Sequence, residues 1–138
     1  YGPGQRDTTK LVPHVITTLM RGESPELSSG TRPVDWVYVD DVVGALVASA
    51  TTETAVGETI DVGSGNLTPV RAVVDEIVRI MAPSVEPRFG ALPDRPNERI
   101  RVADVARANA LLAWASETTL DRGLAATIDW YMVRGNAA

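Results

Sequence analysis

The sequence is poor in the residues that carry most metal and nucleophilic chemistry. Its 138 residues include no cysteine, one histidine (His14) and one lysine (Lys10). The lack of cysteine excludes disulfides, thiolate metal ligands and cysteine nucleophiles and is typical of a reducing compartment, so we expect a cytoplasmic protein. A single histidine excludes a multi-histidine centre, and we expect no metal site. Without an apolar run of roughly 18 residues or an apolar leader, we expect neither a membrane span nor secretion.

Charge and size limit the kinds of partner and the number of domains that this chain is expected to have. The formal net charge is −5 and the isoelectric point is about 4.8, which disfavours nucleic acid as a partner. Apolar residues make up 44% of the chain, enough at this length for one hydrophobic core. No repeat, low-complexity block or shift in composition divides the sequence, so residues 1–138 are expected to form a single domain.

Hydrophobic periodicity predicts short strands that alternate with longer helices, the pattern of an α/β domain. The clearest helix spans residues 12–21, with Pro13 in its first turn and an apolar stripe that includes Val15, Ile16 and Leu19. The other predicted elements are strands over residues 26–29, 35–39, 59–62 and 85–89, and helices over residues 42–50, 68–82, 104–114 and from 118 onward.

The predicted helix over residues 42–50 is apolar on nearly every side. Such a helix is normally buried on more than one face, whereas one small domain covers only the face toward its own core. We therefore expect Val43, Leu46 and Val47, or their neighbours, to form an exposed apolar patch. Because large apolar patches usually mark an interface, we also expect the chain to form a homo-oligomer.

We predict no catalytic residue in this chain. The Gly-Ser-Gly turn at residues 63–65 lacks the third glycine and the downstream acidic residue of a dinucleotide-binding loop, so we interpret it as a strand-to-helix turn. A Tyr-x-x-x-Lys pair, in which the cation lowers the pKa of the phenol, cannot form because Lys10 is the only lysine and residue 6 is arginine. Asp40 and Asp41 stand at a helix start, where carboxylates cap the backbone rather than act as a hydrolytic pair.

Arginines supply the remaining chemistry. Arg32, Arg95, Arg99 and Arg101 lie in loop-like stretches near prolines, where a planar guanidinium can bind phosphate. Most surface arginines are only solvated, so the residues alone leave both interpretations open.

Several motifs, taken in order, resemble those of one family. They are Tyr-Gly-Pro-Gly-Gln at 1–5, Lys-Leu-Val-Pro at 10–13, Asp-Trp-Val-Tyr-Val-Asp-Asp-Val at 35–42, Gly-Glu-Thr-Ile-Asp-Val-Gly-Ser-Gly at 57–65, Arg-Pro-Asn-Glu at 95–98 and Leu-Leu-Ala-Trp at 111–114. Over essentially all 138 residues, the chain resembles the C-terminal part of extended short-chain dehydrogenases/reductases. Within them it resembles the NAD-dependent epimerase/dehydratase family that acts on nucleotide sugars.

The resemblance implies the small α/β substrate-binding domain of that fold, with short strands packed against four to five helices. It also implies that the N-terminal Rossmann half, which carries NAD or NADP and the Tyr-x-x-x-Lys pair, is a missing partner of this chain. The chain alone would then bind no cofactor tightly. Its implied function is to position a nucleotide-diphosphate sugar for oxidation at C4 in a 4-epimerase, 4,6-dehydratase or ketoreductase.

The resemblance further implies a set of site residues. They are Lys10, Leu11, Leu27 and Ser28 around the nucleotide base, Arg95 and Glu98 at the diphosphate, and Tyr1 and Pro3 beside the sugar and the nicotinamide. The family often has a diphosphate-binding arginine where this chain has Val34, and Arg32 is the candidate to replace it.

Two other functions stay open. The chain could be a truncated, non-catalytic module that binds nucleotide sugars or dimerises. It could also belong to a reductase of a non-nucleotide substrate such as a steroid or flavonoid. Arg95 and Lys10 argue against that last function, because those substrates have no diphosphate.

Overall fold

The structure, a computed structural model, describes residues 1–96 and 98–135. Its elements are α1 Leu11–Met20, β1 Glu26–Leu27, β2 Pro33–Asp35, α2 Val39–Thr51, a short 3-10 helix Glu53–Ala55, β3 Leu67–Pro69, α3 Val70–Met81, β4 Arg88–Phe89, α4 Val105–Leu112 and α5 Leu120–Gly135. The predicted α/β class, with helices that dominate over short strands, is confirmed.

The hydrophobic core lies where α1, α3 and α5 pack together. Ile16, Val74, Ile77 and Leu124 are fully buried there. Residues three and four positions apart share one face of a helix, so the apolar stripes read from the sequence are the faces that meet in this core. α1 ends where Gly22 adopts a positive φ of 72° and its amide donates to the carbonyl of Leu19 (2.9 Å).

Two pairs of short strands position the loops. β1 pairs in parallel with β4, with Leu27 opposite Phe89, and β2 pairs antiparallel with β3, with Val34 opposite Thr68. The helix predicted over residues 68–82 was wrong at its start, where Thr68 was expected to be its first residue. The residue belongs to β3 instead, and α3 begins only at Val70.

The predicted strand over residues 35–39 was wrong in its bounds. β2 ends at Asp35, and α2 already begins at Val39. The intervening backbone pairs with the N-terminal residue: the nitrogen of Tyr1 donates to the carbonyl of Val37 (3.0 Å), and the amide of Val39 donates to the carbonyl of Tyr1 (2.9 Å). These two bonds replace the strand partner that residues 36–39 lack.

The predicted strand over residues 59–62 was also wrong, since the structure has irregular backbone there. The segment alternates polar and apolar residues as a strand does, but a strand needs a hydrogen-bonded neighbour. Within residues 1–96 and 98–135, no strand lies beside it. Its described support comes from Arg107, which donates to the carbonyl of Thr59 (3.5 Å) and pairs with Glu58.

The apolar patch predicted on the second helix is confirmed. Val43, Leu46 and Val47, here called the α2 face, are 50%, 63% and 59% exposed, while Ala45 on the same helix is fully buried. Among the described helices, none has the length and apolar character needed to cross a bilayer.

Candidate functional site

The loop over residues 90–96, which contains Pro93 and Pro96, lies against the end of β1. The amides of Gly90 and Leu92 donate to the carbonyls of Ser28 (3.2 Å) and Leu27 (3.1 Å). Leu27 is buried in the core, while Ser28 is half-buried. Two of the four residues predicted to border a nucleotide base, Leu27 and Ser28, therefore lie beside the loop that leads to the predicted diphosphate residues.

Asp94 anchors the same loop to Ser29, the residue that follows Ser28. Its carboxylate accepts hydrogen bonds from the hydroxyl (2.9 Å) and the amide (3.0 Å) of Ser29. These bonds hold the pKa of Asp94 below its ordinary value, because they stabilise the ionised form. Arg95 follows directly, so its backbone position is set by this contact.

Glu98 joins the two arginines that were predicted to bind phosphate. Its carboxylate lies 2.7 Å from Nε of Arg32 and 3.7 Å from Nη1 of Arg95. The Arg95 side chain is 81% exposed, whereas that of Glu98 is only 29% exposed. A carboxylate between two guanidiniums offsets their mutual repulsion, and it keeps both cations near one surface.

Lys10 and Leu11 make other contacts. The ammonium of Lys10 lies 3.9 Å from the Asp7 carboxylate, and both side chains are mostly exposed. Leu11 is half-buried and packs against the hydrophobic core. In the described part of the chain, neither side chain has a hydrogen bond or ion pair to the strip formed by Leu27, Ser28, Arg32, Arg95 and Glu98.

Asp35 is the polar centre of the region between β2 and the turn at residues 63–65. Its carboxylate accepts from the amide (2.7 Å) and hydroxyl (2.6 Å) of Ser64, the amide of Gly65 (3.1 Å) and the amide of Ala103 (3.0 Å). Burial by itself raises the pKa of Asp35, but these hydrogen bonds outweigh burial and bring the pKa below its ordinary value.

The same contacts decide what the Gly-Ser-Gly turn can bind. A dinucleotide phosphate would need the amides of this turn, but those of Ser64 and Gly65 already donate to Asp35. A Cβ atom at Gly63 would lie 2.5 Å from the Asp35 carboxylate, so a glycine is required for this close approach. The turn therefore does not fit a cofactor phosphate. It joins irregular backbone to β3, so its interpretation as a strand-to-helix turn was wrong in both flanking elements.

Tyr1 is fixed by packing. Its ring meets the Trp36 ring edge-on with the centroids 6.4 Å apart, and its hydroxyl donates to the carbonyl of Leu120 (3.4 Å). Burial, and then the nearby Asp41 carboxylate, raise the pKa of Tyr1 to about 12. The phenol therefore stays protonated at neutral pH. Pro3, the other residue predicted beside the nicotinamide, is half-buried.

Two recesses adjoin these residues. One, of about 310 Å3, is lined by Trp36, the turn at residues 64–68 and residues 116–120. The other, of about 640 Å3, lies between β2 and residues 99–103, and Arg32, Arg99 and Arg101 line it together with Asp35 and Asp61. Arg95 does not line either recess.

Sequence reasoning missed two carboxylates that organise the site. Asp35 binds residues that lie 29 to 68 positions away in the chain. Asp41 was interpreted as a helix cap, but it accepts from the Ser116 hydroxyl (3.0 Å) and the Thr118 amide (3.1 Å), which holds the loop before α5. No local signal could have found either role, because both depend on which distant loops the fold brings together.

Comparison with known proteins shows which enzymes the chain is similar to. The family model "NAD dependent epimerase/dehydratase family" matches residues 1–63. A dTDP-glucose 4,6-dehydratase of Shigella flexneri is 30% identical over 145 aligned residues, which cover 99% of this chain and 39% of that relative. The chain thus spans well under half the length of the curated relatives that it matches.

Solved structures show the same similarity in the fold. The UDP-glucose 4-epimerase of Thermotoga maritima, solved with UDP-glucose, superposes with a TM-score of 0.86 at 27% identity, over 100% of this chain and 44% of that one. The UDP-glucuronic acid 4-epimerase of Bacillus cereus, solved with UDP-glucuronic acid and NAD, gives a TM-score of 0.87 at 26% identity, over 97% and 43%. In sequence and fold, this chain is therefore similar to the C-terminal part of extended short-chain dehydrogenases/reductases of the NAD-dependent epimerase/dehydratase family.

Proposed function

We propose that this chain binds a nucleotide-diphosphate sugar and positions it for oxidation at C4 in the complete enzyme. The observation that carries the proposal is the pair of guanidiniums, Arg32 and Arg95, held on one carboxylate beside Leu27 and Ser28. A guanidinium forms paired hydrogen bonds with phosphate oxygens, so the two together suit a diphosphate. The similar Thermotoga and Bacillus enzymes, which were solved with nucleotide sugars, support this choice of ligand.

The chain's share of the reaction is binding and orientation. The Arg95 side chain is 81% exposed, so it is accessible to an anion. The hydride acceptor would be NAD or NADP, as NAD accompanies the Bacillus enzyme, and it would supply redox chemistry from outside this chain. The Gly-Ser-Gly turn does not fit that cofactor, and no step of the reaction is assigned to residues of this chain.

We further propose that the Rossmann half of the complete enzyme packs on the α2 face. Val43, Leu46 and Val47 are at least half exposed, and residues 59–62 have the composition of a strand without a described neighbour. Tyr1 is hydrogen-bonded to Val37 and Val39, so any segment that precedes it would end next to the start of α2. The exposed α2 face is also the observation in favour of the alternative function as a dimerisation module.

The nucleotide-binding proposal is tested by calorimetry with UDP and dTDP. Replacing Arg95→Ala removes a charge-assisted contact, and we expect a loss of about 1.5–3 kcal/mol in binding free energy. Arg79→Ala is the matched control, because Arg79 is 67% exposed and paired with Glu76 on α3. Equal affinities of the parent chain and the Arg95 variant for both nucleotides would mean that Arg95 is only solvated, and would contradict the proposed role.

A further inference from the structure

Arg71 stands where a cation is electrostatically unfavourable. It is the second residue of α3, whose first turn contains no acidic residue, and the N-terminus of a helix carries a partial positive charge. Within residues 1–96 and 98–135, no carboxylate lies within 4.0 Å of its guanidinium. The helix therefore gains nothing from this charge, and the contacts of the side chain with other segments show its role.

The Arg71 guanidinium joins two segments that are far apart in the chain. Its Nη2 donates to the carbonyl of Ser29 (3.3 Å), and its central carbon lies 3.7 Å from the centre of the Phe89 ring. A cation this close to an aromatic face is attracted by the quadrupole of the ring. The backbone amide of Arg71 also donates to the carbonyl of Gly30 (2.8 Å). Main chain and side chain of one residue thus hold two consecutive carbonyls.

Gly30 allows these groups to come together. Its φ of 73° lies in the left-handed region, which glycine adopts without strain. A Cβ atom at this position would lie 3.0 Å from the Phe89 ring and 3.1 Å from Cβ of Arg71. Any larger residue would therefore push against both partners, so the contact between the guanidinium and the ring depends on this glycine.

Both partners of Arg71 support the loop over residues 90–96. Phe89 is the last residue of β4 and directly precedes this loop. Ser29 donates its amide and its hydroxyl to Asp94 near the other end of the loop. The Ser29 peptide group thus lies between a cation, which its carbonyl faces, and an anion, which its amide faces. Arg71 therefore contacts the supports of both ends of the loop.

We propose that Arg71 is a positioning residue of the nucleotide-sugar site: it holds Ser29 and Phe89, and with them the loop that leads to Arg95, against the first turn of α3. This inference rests on the proposed function. Arg71 acts through these two segments rather than through contact with the ligand. Its guanidinium is exposed and lies outside the core of α1, α3 and α5, so its removal should affect binding more than stability.

The first test measures the affinity of three variants of this chain for UDP by calorimetry. Arg71→Gln removes the cation, and we expect a loss of about fivefold or more, because the contacts to both segments are weakened. Arg71→Lys keeps a cation near the ring but not the planar fork, so its loss should be smaller. Arg79→Gln removes one exposed cation from the same helix and should change the affinity by less than about twofold.

The stability and the hydrogen exchange of the chain separate positioning from a merely structural role. Arg71→Gln loses surface contacts but also removes a cation from the positive end of α3, and these two effects oppose each other. We therefore expect the urea midpoint to stay close to that of the parent while the affinity falls. Without ligand, the hydrogen-bonded amides of Ser29 and Gly90 should exchange faster in Arg71→Gln but not in Arg79→Gln.

A double-mutant cycle with Phe89→Leu tests whether Arg71 acts through its neighbours. Phe89→Leu removes the aromatic face but no charge, so a loss of UDP affinity in this variant does not come from a missing cation. If the two residues act together, Arg71→Gln with Phe89→Leu should lose no more affinity than the weaker-binding single variant. Losses that multiply would mean that Arg71 acts independently of Phe89, and would overturn the positioning role.

The outcomes separate this inference from the function on which it rests. Weaker UDP binding by Arg71→Gln together with faster exchange at Ser29 and Gly90 supports both. If the parent chain and Arg71→Gln bind UDP equally well, the inference is overturned and the proposed function stands. If the parent chain binds no UDP while the two amides exchange faster in Arg71→Gln, the anchoring is supported and the proposed function fails. Unchanged exchange at both amides overturns the inference whatever the affinity.

Discussion

The two sides of this domain differ in how completely their apolar residues are buried against other parts of the chain. Around α1, α3 and α5, every apolar stripe meets another stripe, and residues such as Ile77 and Leu124 are fully buried. Around α2, an apolar face and a strand-like segment at residues 59–62 have no such counterpart in the described chain. The first side accounts for the stability of the fold, and the second indicates where a further surface would pack.

The sharpest way to break this comparison is to truncate one residue on each side. Ile77→Ala removes a fully buried side chain from the core, and we expect it to lower the free energy of unfolding by about 2–5 kcal/mol. Leu46→Ala, at a residue that is 63% exposed, should change it by less than about 0.5 kcal/mol. Urea denaturation measures both values. Similar losses at the two positions would show that the α2 face contributes to the fold of the isolated chain.

A second test concerns the polar contacts that hold the site together. The Asp35 carboxylate accepts four hydrogen bonds. Asp35→Asn replaces one of its oxygens by an NH2 group, which donates and so faces some of these donors with another donor. We expect the variant to lose about 1–3 kcal/mol of unfolding free energy, because some buried donors are left unpaired.

The pH dependence of the same variant has a definite sign. The pKa of Asp35 is lower in the folded chain than its ordinary value, so its stabilisation is complete above about pH 4 and is lost as the pH falls through the lower folded pKa. Below pH 4, the free energy of unfolding should therefore fall less steeply with falling pH for Asp35→Asn than for the parent chain. An unchanged slope in the Asp35 variant would contradict the assigned contacts.

The smallest expected change in stability belongs to the α2 face, where the effect is on association instead. If the face mediates contact between copies of the chain, Leu46→Gln with Val47→Gln should shift the apparent mass toward the monomer with little change in unfolding free energy. Size exclusion with light scattering measures the mass. A parent chain that is monomeric at high micromolar concentration would contradict the expected homo-oligomer.

This contrast also explains which features the sequence could predict. The stripes of α1 and α3 are local patterns that repeat every three or four residues, so they identified the core helices without knowledge of the fold. The strand predicted at residues 59–62 failed because a strand depends on a neighbour that sequence periodicity cannot supply. The strand at residues 35–39 failed because Tyr1 takes the place of a partner strand.

The candidate site shows the same contrast between residue types, which are visible in the sequence, and long-range contacts, which are not. Arg32, Arg95 and Glu98 were predicted from their residue types and from motif resemblance, and the structure shows that one carboxylate holds both arginines. The hydrogen bonds of Asp35 and the shared recess of Arg99 and Arg101 could not be predicted, since they join segments far apart in the chain. Lys10 remains a prediction, because its described ion pair is with Asp7.

An NMR titration with UDP-glucose, followed by backbone amide chemical shifts, tests the central claim of nucleotide-sugar binding most directly. It reports on both sides of the domain at once. If this chain positions a nucleotide-diphosphate sugar, the amides of Ser28, Ser29, Arg32, Arg95 and Glu98 should shift in a saturable way, while those of Val43, Leu46 and Val47 should not move. The absence of saturable shifts at these site residues, or shifts confined to the α2 face, would contradict the proposed function.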